Sequence, residues 1–263
     1  MVAARVLAAA AHLSLGEFFG LYPPKLYFVA WVPRVVLQLL FFALLASFLG
    51  GHDYLRFVVI GSVAHATYIG ALGFTVASIT WEQGSGTVPL LVASPSSPLL
   101  VFVGRNLAML GNGLVSGALT LGLAAVVLDL DLTVGQVLAA SMILVLATAS
   151  VYCLGLLLGS IVLRFPQYRN VVSNITVVSL TFLTGAYVPV AALPSWLQPL
   201  SEVLPVTHAL RLLRHVTLGA PDPGIGPSIA AEIAVGAVLF VLAQLSFTYF
   251  LRQARAAGTL DFH

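Results

Sequence analysis

Apolar residues run through this chain in blocks longer than a soluble helix or strand requires. A bilayer crossing takes about 20 mostly apolar residues. Stretches that meet this length lie at 28–49, 55–80, 100–128, 137–163, 171–190 and 229–251. The break Tyr22-Pro23-Pro24-Lys25 precedes the first stretch. Asp53 sits in the short gap after it, and Asp129 and Asp131 sit in the gap before the fourth. Ahead of these blocks, residues 1–24 predict a helix lying along the membrane surface. Leu7, Ala11, Leu15 and Phe18 fall on one helical face, and Arg5 and His12 fall on another. The Ala-rich start after Arg5 could imitate a signal peptide, but its apolar part is weak and Glu17 and Lys25 follow it.

One apolar stretch breaks the pattern. Residues 193–218 contain Pro194, Pro199 and Pro205, and carry Glu202, His208, Arg211, Arg214 and His215. Proline removes a backbone donor and clashes inside a helix. The prediction is therefore two short helices dipping into the outer leaflet, where surrounding protein can bury non-helical backbone. The expected fold is an all-α membrane protein forming a single domain over 1–263. It has six transmembrane helices, the interfacial N-terminal helix and a re-entrant pair before the last span.

Composition turns this pattern into a statement about solvent. Hydrophobic residues make up 60% of the chain and charged residues 8%, against about 25% charged in soluble domains. A water-soluble fold could not cover that much apolar surface. The net charge of +2 is too small to indicate nucleic acid, so position matters more than sum. With both termini inside, cytoplasmic segments hold Arg5, Lys25, Arg105, Arg164, Arg169, Arg252 and Arg255, while external segments hold Arg56, Arg211 and Arg214. The positive-inside rule then places both termini in the cytoplasm of a multi-pass protein. Arg34 falls near the inner end of the first span. Cys153 is the single cysteine, so no intrachain disulfide forms.

The chain offers little covalent chemistry. Lys25 is its one lysine and no G-K-[ST] occurs, so it holds no phosphate-binding loop. Neither G-x-S-x-G nor H-E-x-x-H appears, and the histidines lack metal-ligand spacing. Two ionisable residues fall within spans. His65 reads as a neutral, hydrogen-bonded packing residue. Glu232 reads as an interfacial residue pairing with Arg211 or Arg214. Gly113/Gly117 and Gly155/Gly159 are G-x-x-x-G pairs that let helices approach closely within the bundle. In the fifth span Asn174, Thr181 and Thr184 recur near one face. They form either a wall facing an amphiphilic cargo or, more simply, ordinary interhelical hydrogen bonds.

The loop after the second span carries the most information. Residues 82–98 begin Glu82-Gln83-Gly84-Ser85-Gly86-Thr87, continue through Leu90, Leu91 and Ala93, and close on Ser94-Pro95-Ser96-Ser97-Pro98. An amphipathic stretch on the inner face, 87–93, is suited to docking into a partner's groove.

This loop resembles the coupling loop of ABC-2-type permeases, E-x-x-x-G-T-L-E-x-L-L-x-S-P-x-S-P. Glu82, Gly86, Thr87, Leu90 or Leu91, Ser94, Pro95, Ser97 and Pro98 stand at matching positions, and Val88-Pro89 replaces the usual Leu-Glu. The segment Phe182-Leu183-Thr184-Gly185 through Pro189 resembles the family's F-L-S-G-x-x-x-P. Leu193-Pro194-Ser195-Trp196-Leu197-Gln198, followed by Leu204-Pro205-Val206-Thr207-His208 and Arg214, resembles its L-P-x-W-L-Q and L-P-x-T-H-x-x-x-x-x-R regions. Permeases of daunorubicin resistance and nodulation-factor export are the most similar kinds.

The resemblance implies a permease subunit of an exporter in the bacterial cytoplasmic membrane, moving an amphiphilic drug, lipid or lipid-linked glycan outward. It implies two copies of a cytoplasmic ABC ATPase, which hold ATP and Mg, and a second permease chain, identical or different. This chain itself would bind no cofactor and catalyse no reaction. Glu82, Gly86, Thr87, Leu90, Leu91, Ser94 and Pro95 would couple to the ATPase. Asn174, Thr181 and Thr184 would line the path, and Pro194, Trp196, Pro205, His208 and Arg211 would form an external gate. A stand-alone secondary transporter or channel predicts mid-membrane charges or internal repeats. A membrane enzyme predicts clustered acids and histidines, of which Glu202, His208, His215 and Asp222 are the nearest approach.

Overall fold

A computed structural model describes residues 10–16, 19–20, 23–84, 98–163, 165–221 and 224–257. The described residues are helical with no strand. The helices are α1 (Pro24–Gly84), α2 (Pro98–Arg105), α3 (Leu107–Val127), α4 (Val134–Val162), α5 (Arg169–Leu183), α6 (Gln198–Glu202), α7 (Thr207–Leu218) and α8 (Ile225–Ala257). Four of them contain stretches long and apolar enough to cross a membrane: Phe28–Gly73 in α1, Leu107–Val127, Val134–Val162, and Ile225–Phe250 in α8.

α1 has 61 residues, which at ~1.5 Å each would be about 90 Å of straight helix. It is instead a hairpin. Gly51 has φ 70 and ψ −161, a conformation closed to residues with a Cβ. Residues on either side of it meet again: Gln38 Nε2 lies 3.0 Å from His65 Nδ1. The polar gap anticipated around Asp53 is thus a one-glycine reversal within two antiparallel arms.

Two expected spans change shape. The stretch 100–128 divides at Asn106, whose φ of −101 and ψ of 3 leave the helix, and whose amide returns to the Phe102 carbonyl at 2.9 Å. The side chain competes for helix carbonyls, which asparagine does readily. The stretch 171–190 is helical only to Leu183. Gly185 at φ 83 turns the chain, and Pro189 cannot supply a helix donor. α5 therefore has 15 residues, about 22 Å, against a hydrocarbon core of ~30 Å. In 193–218 the expected pair of short helices is present as α6 and α7.

α4 is the central helix, touching α1, α3, α7 and α8. Thr133 and Gln136 start it with a reciprocal capping box. Gln136 also donates to the Val216 carbonyl of α7 at 3.0 Å. The main core joins Val63, Tyr68 and Leu72 of α1 to Leu121, Leu144, Val151 and Leu210. A second cluster stacks Phe102 on Phe247 at 5.0 Å beside Tyr152 and Leu156. The glycine pairs act within the bundle as expected. A Cβ on Gly117 would stand 2.3 Å from Thr67 Oγ1, and one on Gly155 would stand 3.0 Å from Thr75 Cβ.

The outer faces stay apolar. Phe28, Leu37, Phe41, Phe48, Met142, Val178, Val238 and Leu245 are exposed, which suits lipid as solvent. In the N-terminal segment Ala10 and Ser14 are buried, while Leu15 is exposed. The face holding Ala10 and Ser14 is turned to the protein, and Leu15 stays on the outside, as an apolar residue on the membrane-facing side of such a helix would. Residues 1–9, 17 and 18 lie outside the described residues.

Candidate functional site

A group of polar and charged side chains converges where α7 meets the end of α5 and the turn end of the α1 hairpin. After Thr184 the chain turns at Gly185 and lies flat on α1. A Cβ on Gly61 would stand 1.8 Å from the Ala186 carbonyl oxygen, so only glycine admits this backbone-to-helix contact. Tyr54 Oη donates to the Tyr187 carbonyl at 3.1 Å. The Tyr187 ring stacks on Phe42 with centroids 4.1 Å apart, and its hydroxyl lies 2.6 Å from His65 Nδ1 and 3.4 Å from Ser62 Oγ. His65 is thus buried and hydrogen-bonded, joining both arms of α1 to the turn after α5.

Arg214 staples the same turn to α7. Its Nη2 donates to the carbonyls of Phe57 at 3.1 Å, Gly185 at 2.8 Å and Ala186 at 3.1 Å. Two protons serve three acceptors, so one bond is shared. The guanidinium carbon lies 3.5 Å from the Phe57 ring centroid, a cation–π contact.

Glu232 corrects the sequence expectation. It pairs with neither Arg211 nor Arg214. It is fully buried and accepts from Val206 N at 2.8 Å, Ala209 N at 3.2 Å and Ser150 Oγ. The first amides of a helix have no intrahelical partner and carry partial positive charge. A carboxylate from α8 thus caps α7, and Ser150 ties both to α4. Val206 has φ 79, a strained conformation for a branched residue. The buried Glu232 contact, made to Val206's own amide, holds it there.

Arg211 instead forms a two-pronged pair with Glu202, with Nη1 to Oε2 at 2.8 Å and Nη2 to Oε1 in close contact. This hydrogen bond holds the Glu202 carboxyl below its ordinary range. His208 Nε2 donates to the Glu202 carbonyl at 2.9 Å, which fixes its tautomer. Pro205 is buried under the α6–α7 turn, whereas Pro194 and Trp196 are exposed, Trp196 at 75%. Of the expected gate residues, His208 and Arg211 both meet Glu202.

The fifth-span trio separates. Asn174 is exposed, Thr181 Oγ1 lies 2.7 Å from Tyr68 Oη, and Thr184 is buried with its hydroxyl on the Leu180 carbonyl at 2.6 Å. Of the coupling residues, Glu82 falls in the last turn of α1. Gly86, Thr87, Leu90, Leu91, Ser94 and Pro95 lie outside the described residues.

Comparison with known proteins bears on what this helical bundle is. The profile of the ABC-2 type transporter family matches residues 18–218. The chain belongs to this family. Its ABC-2 relatives include a probable multidrug ABC transporter permease, YbhR of Escherichia coli K12, 28% identical over 171 residues that cover 63% of this chain and 45% of YbhR. Nodulation protein J of Sinorhizobium fredii is 25% identical over 73% of this chain and 72% of its own length. The inner membrane transport permease YadH of E. coli K12 is 21% identical over 73% of this chain and 76% of its own. The match to YbhR thus spans less than half of that relative. Membership of this family agrees with the four apolar helices long enough to cross a membrane. Pattern reading missed Gly61, Ser150 and Tyr187 and gave Glu232 the wrong partners, because all four act through tertiary contacts. Glu232 alone had a signal, being the single acid in an apolar span.

Proposed function

We propose that this ABC-2 chain is the membrane-spanning subunit of an ATP-driven exporter in the bacterial cytoplasmic membrane. Two copies of a separate cytoplasmic ATPase, carrying ATP and Mg, bind beneath a pair of permease chains. The crossings are the two arms of α1, then α3, α4, α5 with the turn after it, and α8. α6 and α7 form a re-entrant pair on the outer side, and both termini face the cytoplasm. Closure of the ATPases pushes on the segment from Glu82 to Pro95 and on the N-terminal helix, and the bundle opens outward. The cargo is an amphiphile, either a drug, a lipid or a lipid-linked glycan. The multidrug and nodulation names of relatives support this range.

The observation that carries the reading is the family match over 18–218, which includes both the 82–98 loop and the Pro194–Arg214 segment. The clasped outer assembly supports a gate. Arg214, Glu232 and Gln136 connect α7 to Phe57 of α1, to α8 and to α4, so movement of any of these helices reaches it.

Co-expression tests the reading. The tagged chain is purified with a candidate ABC ATPase and hydrolysis is measured in nanodiscs, with and without disruption of Gly86-Thr87. A stable complex whose hydrolysis depends on that segment is the expected result. A folded chain that binds no ATPase would overturn the reading in favour of a transporter working alone.

A further inference from the structure

A cavity of about 410 Å³ opens beside the clasp, lined by Phe57, Thr184, Gln198, Glu202, Arg211 and Arg214, among others. That volume is within the ~300–1,000 Å³ of small-molecule sites. Its charges do not balance. Two guanidiniums line it against one carboxylate, and Arg211 is already committed to Glu202 through both carboxylate oxygens. No carboxylate among the described residues pairs with Arg214. Its hydrogen bonds all leave from Nη2. Nε is buried with no partner, and Nη1 makes no hydrogen bond among the described residues. Carbonyl dipoles and the Phe57 ring orient the cation without neutralising it. A desolvated, unpaired charge is costly, and a guanidinium with free donors matches phosphate geometry.

We propose that this cavity binds a phosphate-type anionic head group, with Arg214 as its anchor and the Glu202–Arg211 pair as a competing lid. Glu202 repels the anion while it occupies Arg211, and releasing that pair adds a second guanidinium to the site. On the exporter reading, on which this part rests, the head group belongs to a cargo or lipid at the outer end of the path. The anion site itself requires no ATPase, so its failure and the failure of that reading are separable.

The test uses the full chain in phosphatidylcholine nanodiscs, titrated calorimetrically with monododecyl phosphate, dodecanol and inorganic phosphate. Monododecyl phosphate is expected to bind at least tenfold more tightly than dodecanol. Arg214→Gln is expected to weaken it tenfold or more, and Glu202→Gln to tighten it several-fold by freeing Arg211. Binding of inorganic phosphate with similar affinity supports the site with a free anion as occupant. Binding of the alkyl phosphate alone supports it with an amphiphile's head group. Affinity unchanged in both variants overturns the proposal. Should Arg214→Gln not fold, Glu202→Gln decides, and an unchanged affinity there overturns it equally.

Discussion

Single side chains in this protein hold the α6–α7 assembly by satisfying groups that helix geometry leaves bare. Glu232 is the clearest case, because its carboxyl group accepts from two amides and one hydroxyl in a fully buried site. Glu232→Ala would leave the Val206 and Ala209 amides buried and unpaired, at about 1–3 kcal/mol for each, while the Ser150 hydroxyl keeps the Ala147 carbonyl at 3.0 Å. Its unfolding temperature in detergent is expected to fall by many degrees, and transport to fall with it. Glu232→Gln keeps one acceptor oxygen and is expected to fall between the two; a variant as stable as the parent would show that the clasp contributes nothing. Glu202 gives a pH signature. Its folded-state pKa lies below its ordinary value of 4.5, chiefly because Arg211 donates to it. A depressed carboxyl adds stability above its unfolded pKa and loses it as pH falls through the folded one. The stability gap between the parent and Glu202→Gln is therefore expected to persist at pH 7 and close below about pH 4.5. The group is half-exposed, so the gap is small.

At the scale of elements, two glycines decide how helices meet. Gly51 reverses α1 in one residue at φ 70, and Gly61 admits the Ala186 carbonyl onto the helix surface. Gly61→Ala would place a methyl group inside that contact and push the 184–188 turn off α1. The turn carries Tyr187 and receives Arg214, so loss of His65–Tyr187 and Arg214 contacts is expected together. Faster proteolysis near residue 188 in nanodiscs, with α3 and α4 still protected, would register this. Unchanged protection would mean the turn is held elsewhere. Element existence was legible from hydropathy for all the long helices, and the α6–α7 break was legible from its prolines. Boundaries were less so. Asn106 interrupts 100–128 because its amide takes a helix carbonyl, and Gly185 ends α5 early because a positive φ there points the chain back onto α1. Both depend on what lies opposite, which hydropathy along one strand of sequence does not record.

For the whole molecule, the arrangement is a bundle around α4 whose outer faces are apolar and whose charged clasp, Glu202, Arg211, Arg214 and Glu232, gathers at one end. This end is expected to be external. Cys153 is the sole cysteine, so Cys153→Ser gives a background for labelling. On it, Asp129→Cys is expected to react with an impermeant maleimide in intact cells, and Arg252→Cys only after permeabilisation. The reverse pattern would invert the topology and move the clasp to the cytoplasmic side.

By itself the sequence determined that lipid is the solvent, where the long apolar helices lie to within their ends, and that the chain resembles ABC-2 permeases in its loop and proline motifs. These are properties of local composition and spacing, and they survive whatever the helices touch. Only the tertiary structure decided the roles of Glu232, Arg214 and Gly61. Glu232 faces α7's bare amides instead of the arginines, Arg214 faces carbonyls and a cavity instead of an acid, and Gly61 faces a backbone oxygen. The reason is physical. A buried charge takes the partner that helix packing brings within hydrogen-bond distance, and that packing depends on the approach of helices far apart in the chain.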